Sequence, residues 1–247
     1  MMASPPGRLD VGGVIGRVWR IYVDQAPVLM PAAAVVFVFT GILTTVLFKA
    51  GPGLALLAEL VALVATWLFS GMVVELVADV QDGKRDATAG QLLRAVMPVL
   101  GSLVLVSIVA GILIVIGFAL IIVPGLILLT VWAVAVPVVV IEHPAGLGAL
   151  RRSRELVRGN GWPVFGVILI LYFLVLVVTA ALQAAGNSAG TGVGIVVAVI
   201  VGVLTRPLPA LAQAVLYFDL LSLRGERPPQ APAPDAPESQ PDPFGTT

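Results

Sequence analysis

Arg206 is the residue whose type and setting point most directly to chemistry. It lies in an apolar stretch, from Val193 to about Leu220, with no other charge before Asp219. It is 13 residues into that stretch, about 20 Å along a helix at the usual rise per residue. A charge at such depth in a membrane is costly, so it should face a polar interior or a partner. Gln213 and Tyr217 follow on nearly the same helical face. Pro207 and Pro209 free carbonyls one turn earlier and favour a kink. A polar stripe beside a broken helix is one way transporters build a site near the bilayer midplane. The blander role for Arg206 is to cap those carbonyls or to pair with a lipid phosphate. Glu59 is a candidate counter-ion. On the helical rise its depth differs from that of Arg206 by about 12 Å, so contact needs tilt or snorkelling. A water-exposed outer carboxylate suits Glu59 better.

A second set of residues is basic. Arg151, Arg152, Arg154 and Arg158 cluster within eight positions, and Arg17 and Arg20 stand in the N-terminal segment. Arginines beside a bilayer attract anionic headgroups, each by about 1 kcal/mol. They read as headgroup contacts and as determinants of topology. Glu75 and Asp79, one turn apart, read as partners of nearby arginines rather than as a proton relay. Glu142 beside His143 looks like an acid–base pair, but the following Pro144 marks a helix end.

Other chemistries are excluded by composition. There is no cysteine and one histidine, which removes thiolate sites, disulfides and histidine metal clusters. No metal or cofactor is expected. No phosphate-binding loop or nucleophile elbow occurs. Net charge is zero, from 14 basic and 14 acidic residues, so no nucleic-acid partner is implied.

These residues must be positioned by membrane helices. The 247 residues are 59% apolar and 11% charged, with mean hydropathy +1.06, against about 25% charged in soluble domains. A span needs about 20 mainly apolar residues. Six fit, at about 26–48, 54–78, 96–121, 125–141, 162–183 and 193–220. Ile122-Val123-Pro124-Gly125 reads as the turn between the third and fourth, and the small polar stretch 184–192 as the turn between the fifth and sixth. On this count 12 of the 14 basic residues fall on one side, with Lys49 opposite and Arg206 inside a span. The positive-inside rule then puts both termini in the cytoplasm. No cleavable signal peptide is legible in the first 25 residues. Residues 228–247 hold seven prolines and almost no large apolar side chain. They read as a disordered tail, with a proline-motif docking site for a protein partner as the sharper alternative.

The pattern repeats three times. Basic and apolar residues at helical spacing precede the odd-numbered spans, as in Val11, Ile15, Val18 and Tyr22 against Arg17 and Arg20. Each such stretch meets a proline: Pro27, Pro98 and Pro163. The even-numbered spans end near an acid: Glu75, Glu142 and Asp219. The expected fold is therefore all-α and polytopic: six spans as three hairpins, each preceded by an amphipathic interfacial helix. Residues 1–25 form an N-terminal segment, 26–224 the transmembrane domain and 225–247 the tail.

The segment 122–162 carries recognisable motifs. Pro124-Gly125-Leu126-Ile127-Leu128 is followed by Pro137, Glu142, Ala149-Leu150-Arg151-Arg152-Ser153, Leu156-Val157-Arg158-Gly159 and Trp162. With Leu216-Tyr217-Phe218-Asp219-Leu220, they make the chain resemble the membrane-domain family of glycerophosphoryl diester phosphodiesterases, six-span bacterial proteins. The likeness covers roughly residues 8–225, its specific motifs about 50 of them. Arg154 stands where the family usually has tryptophan, and Leu221 where an arginine often follows the aspartate–leucine pair. The resemblance implies the membrane module without the catalysis, which in those enzymes belongs to a separate soluble barrel of about 250 residues. High arginine over lysine, with much alanine, glycine and valine, points to a GC-rich bacterial genome.

The favoured reading is a non-enzymatic membrane organiser or accessory protein that binds lipid or a partner. The alternative is a small transporter or lipid-handling protein with a polar site at Arg206, Gln213, Tyr217 and Glu59. An intramembrane enzyme ranks third, for want of a nucleophile–base pair.

Overall fold

The structure is a computed structural model, and it describes residues 8–83, 88–188 and 191–228. Most of the proline-rich tail, with Lys84 and Arg85, lies outside the described residues. The described residues contain α-helices, a short 3-10 turn and no strand. Six helical stretches are long and apolar enough to cross a membrane. The protein is an all-α, multi-pass membrane protein.

Three hairpins carry the spans, and a short amphipathic helix precedes each. The first unit is α1 (Val11–Asp24), then α2 (Ala26–Ala50) and α3 (Pro52–Gln81). Asp10 caps α1 by accepting from the Gly12 amide at 3.1 Å. The second unit is α4 (Ala89–Val96), a 3-10 turn at Met97–Val99, α5 (Leu100–Leu120), α6 (Ile122–Val131) and α7 (Ala135–Glu142). Thr88 and Gln91 form a capping box at the start of α4. The third unit is α8 (Gly148–Val157), α9 (Gly161–Ser188), α10 (Thr191–Thr205) and α11 (Pro207–Leu223). The prolines at 27, 98 and 163 all fall where an amphipathic helix gives way to a span. A proline there costs little, because the first amides of a helix have no internal partner.

The units close into a ring. α4 packs on α3, α8 on α7, and α1 on α11. Each amphipathic helix therefore lies on the second span of the preceding unit, and the first unit's helix lies on the third unit's span. α3, α7 and α11 also pack on one another at the centre. The threefold pattern in the sequence is structural. One expectation needs adjustment: the apolar faces of these helices bury against protein. Val14, Val18 and Ile21 of α1, Leu92 and Val96 of α4, and Leu150, Leu156 and Val157 of α8 are all buried. Gly71 on α3 admits this approach, since a Cβ there would stand 2.7 Å from Val96 Cγ1.

Two turns differ from expectation. The third-to-fourth turn is a single extended residue, Ile121, with φ −158° and ψ 146°. α6 starts at once, with Pro124 in its first turn, so the Pro-Gly pair opens the fourth span at Ile122 rather than preceding it. Gly125 lets the two helices touch here, with its backbone about 3 Å from where a Cβ on Gly117 would stand. The stretch 184–188 is helical and extends α9, leaving a much shorter connection to α10.

Packing is tightest at the arginine-bearing end. On α9 the side chains of Val164, Val167, Ile168 and Leu171 are buried, and the following turns are largely exposed. Exposed apolar residues such as Phe39, Phe48, Leu60, Val115, Leu120 and Phe173 form the outer surface. A surface of that kind belongs in hydrocarbon, where helices satisfy their own backbone groups.

Candidate functional site

Two of the second spans are broken, and both breaks are met by a hydroxyl from the amphipathic helix packed on them. Between α6 and α7 the chain turns at Trp132–Val134. The Ser153 hydroxyl of α8 donates to the Val131 carbonyl there, at 2.9 Å. Between α10 and α11 the chain turns at Arg206. The Tyr22 hydroxyl of α1 donates to the Leu204 carbonyl at 2.8 Å. Each bond satisfies an acceptor at an interrupted helix, where a lost partner costs about 1–3 kcal/mol. Burial pushes the Tyr22 phenol above its usual range. The expected kink at Pro207 and Pro209 is thus a break one residue earlier, with Pro207 as the first residue of α11.

Arg206 does not cap the freed carbonyls among the described hydrogen bonds. Its guanidinium lies over the Phe37 ring of α2, 4.5 Å from the centroid. None of the described ion pairs includes it. It lines a cavity of about 430 Å³ walled by α3, α5, α6, α7, α9, α10, α11 and the breaks. The polar lining comprises Thr66, Ser70, Ser107, Tyr172, Thr205, Arg206 and Gln213. Trp67, Trp132, Leu129, Ile168 and Val175 are among the apolar walls. Tyr172 of α9 and Gln213 of α11 both face this space. The Thr66, Ser70 and Thr205 hydroxyls donate to carbonyls of their own helices, at 2.8, 3.0 and 2.7 Å. Ser107 Oγ is buried without a hydrogen-bond partner. Among the described residues the lining holds one cation and no carboxylate.

The expected stripe therefore divides. Arg206 and Gln213 share the cavity. Tyr217 belongs to a different cluster: its hydroxyl donates to Glu142 Oε1 at 3.0 Å. Glu59 is exposed on α3 and does not line the cavity. It is not the counter-ion of Arg206, which agrees with the mismatch in depth. The residues missed from sequence are Phe37, Trp67, Ser107, Trp132 and Tyr172. Each is an ordinary apolar-helix residue in its own segment, and only the ring closure aims it inward.

The arginine set divides as well. Arg152 is three-quarters buried and donates from Nε to both Glu142 oxygens, at 2.9 and 3.2 Å, and from Nη2 to Glu226. Burial works against its charge, but the bonds and charges of Glu226 and Glu142 win and hold its pKa above the ordinary arginine value. Arg17 pairs with Asp219 of α11. These two arginines are ion-paired to carboxylates of the fold, Arg17 with its side chain still 41% exposed. Arg151 is exposed and pairs with Glu155, one turn along α8 at 3.0 Å. Arg20, Arg154 and Arg158 are exposed. Arg224 closes the end of α8 by donating to the Glu155 and Arg158 carbonyls. His143 ends α7 in the left-handed conformation, with φ 49°, as expected of a helix end.

A family model described as a domain of unknown function, DUF8558, matches residues 88–225. That is more than half of the 247 residues. The chain belongs to the DUF8558 family. The DUF8558 match runs from the capping box of α4 past the end of α11, so it includes Ser107, Arg152, Tyr172, Arg206 and Gln213. It leaves out α1, α2 and α3, which supply Tyr22, Phe37, Thr66, Trp67 and Ser70. No curated protein and no solved structure matches the chain.

Proposed function

We propose that the protein is a non-enzymatic lipid-handling or transport protein that binds a small amphiphilic molecule in the cavity at Arg206. The cavity carries this reading. Its volume, about 430 Å³, lies within the 300–1,000 Å³ usual for small-molecule sites. An unneutralised arginine within a span is itself a mark of function rather than of packing. The resemblance to the membrane domains of glycerophosphoryl diester phosphodiesterases supports a lipid-facing role. The arginine-rich face, with both termini, is placed in the cytoplasm of a bacterial cell membrane on the strength of the positive-inside rule.

Native mass spectrometry of the protein released in its own lipids tests this reading, beside Arg206→Leu. One small molecule or one lipid class should stay with the native protein and be lost from the variant. Mixed annular lipid on both would overturn the reading.

A second reading is the accessory protein that organises lipid or a partner complex at the membrane face. It is favoured by Arg20, Arg151, Arg154 and Arg158, which project from α1 and α8 and remain accessible to anionic headgroups. The proline-rich tail, as a protein-docking segment, belongs to this second reading.

A further inference from the structure

The cavity's donors and charges specify more than its size. Among the described residues, Arg206 is held by a ring face and not by an acid. Stacking leaves the edge of a guanidinium, with its five N–H donors, free to point at a ligand. Ser107 adds a hydroxyl whose oxygen is buried and unpartnered, in a lining where every other Ser or Thr hydroxyl has a carbonyl acceptor. A buried polar atom without a partner is costly, and a ligand that supplies one recovers that cost. Among the described residues no carboxylate lines the space, so none of them repels an anion or attracts a cation there. The walls between these donors are aromatic and aliphatic: Trp67, Leu129, Trp132, Ile168 and Val175.

We propose that the ligand of this cavity carries an anionic phosphate or carboxylate group, bound by Arg206 with Ser107, and an apolar portion against Trp67 and Trp132. The inference rests on the cavity reading above and adds the sign of the charge. Arg206 is suited to it because a planar fork of donors matches two oxygens of a carboxylate or phosphate, which a lysine ammonium does not. In a low-dielectric site such a charge-assisted pair is worth more than it would be in water. A cationic or neutral head would leave the arginine uncompensated.

A dodecyl series tests this in nanodiscs of neutral phosphatidylcholine. The probes are dodecyl phosphate, dodecanoate, dodecyl maltoside and dodecyltrimethylammonium, each brominated at the chain end, together with inorganic phosphate. Trp19 and Trp162 are exposed and outside the cavity. With both replaced by phenylalanine, Trp67 and Trp132 report on the cavity through bromine quenching. Dodecyl phosphate or dodecanoate should bind at least tenfold more tightly than the maltoside, and the trimethylammonium compound not at all. Competition by inorganic phosphate at similar affinity would assign the anion to the aqueous phase. Competition only by the chain-bearing anions would assign it to a lipid.

Arg206→Gln should abolish the preference for anions, and Arg206→Lys should keep part of it while losing the bidentate advantage. Ser107→Ala should weaken anion binding several-fold and leave maltoside binding unchanged. If Arg206→Gln does not fold, the head-group series on the unsubstituted arginine and on Arg206→Lys still decides the matter. Equal quenching by all heads would overturn the charge inference and keep the cavity reading. No quenching by any probe would overturn both.

Discussion

Arg152 and Arg206 are two arginines with opposite surroundings, the first three-quarters buried and the second exposed. Arg152 has Glu142 and Glu226 as partners, and Glu142 is bonded in turn to Tyr217. Arg206 has a phenylalanine ring and a cavity. The first arrangement satisfies its charge within the fold and ties α7, α8 and the end of α11 together. The second leaves its charge for something else. What separates the structural arginine from the candidate binding one is the presence of a carboxylate partner.

The largest expected effect breaks this comparison or confirms it. Arg152→Met leaves Glu142 largely buried with its charge uncompensated. Removing one partner of such a pair costs about 3 kcal/mol, so the thermal unfolding midpoint in detergent should fall by several degrees. Adding Glu142→Gln should recover part of the loss, because the stranded charge goes with it. Arg206→Gln should leave the midpoint unchanged or raise it. It loses a ring contact of about 0.5–1 kcal/mol but removes an unpaired charge from a span. Equal destabilisation by Arg152→Met and Arg206→Gln would make Arg206 structural and end the comparison.

The two regions also differed in how far the sequence showed them. Spans and repeats were legible because they depend on local composition: apolar length, arginine placement and prolines at 27, 98 and 163. Arg206 was legible because a charge in an apolar run is conspicuous. The bonds of Arg152 were not. Glu142 is ten residues away, Tyr217 and Glu226 more than sixty, and no local pattern joins them. Tyr217 was placed with Arg206 because helical spacing gives a shared face but not what that face meets. Arg206 is itself the break before α11, whereas Tyr217 lies within α11 and meets Glu142 of α7. Glu59 is exposed on α3, the setting that its depth on the helix already favoured over a pairing with Arg206. The ring closure of α1 on α11 joins the two ends of the chain, a non-local fact that periodicity cannot contain.

A smaller effect sharpens the arginine-bearing side. Tyr217→Phe removes the phenol that donates to Glu142 but leaves Arg152 on the same carboxylate. The side chain is fully buried, so the ring still fills its place. The expected loss is about 1 kcal/mol, that of one hydrogen bond to a group that keeps another partner. Anion binding at the cavity should be unchanged in this variant, because Tyr217 does not line it. Loss of binding would show that the two regions are coupled through α11.

The smallest expected effect concerns the outer partner of Arg152. The hydrogen bond from Arg152 holds the Glu226 carboxyl below the usual glutamate range, against a slight opposing effect of burial. A depressed carboxylate stabilises the fold above its unfolded value, about 4.3. That contribution disappears as the pH falls through the lower folded value. The difference in unfolding midpoint between the native protein and Glu226→Gln should therefore be constant from pH 5 to 8 and shrink below about pH 4. Glu226 is more than one-third exposed, so solvent screens the pair and the effect stays below about 1 kcal/mol. Raising the salt should shrink it further, while leaving the more buried Arg152–Glu142 pair nearly unaffected. A difference that grew on acidification would mean that Glu226 is stabilised in its protonated form, and would remove it from the ion-paired side of the comparison.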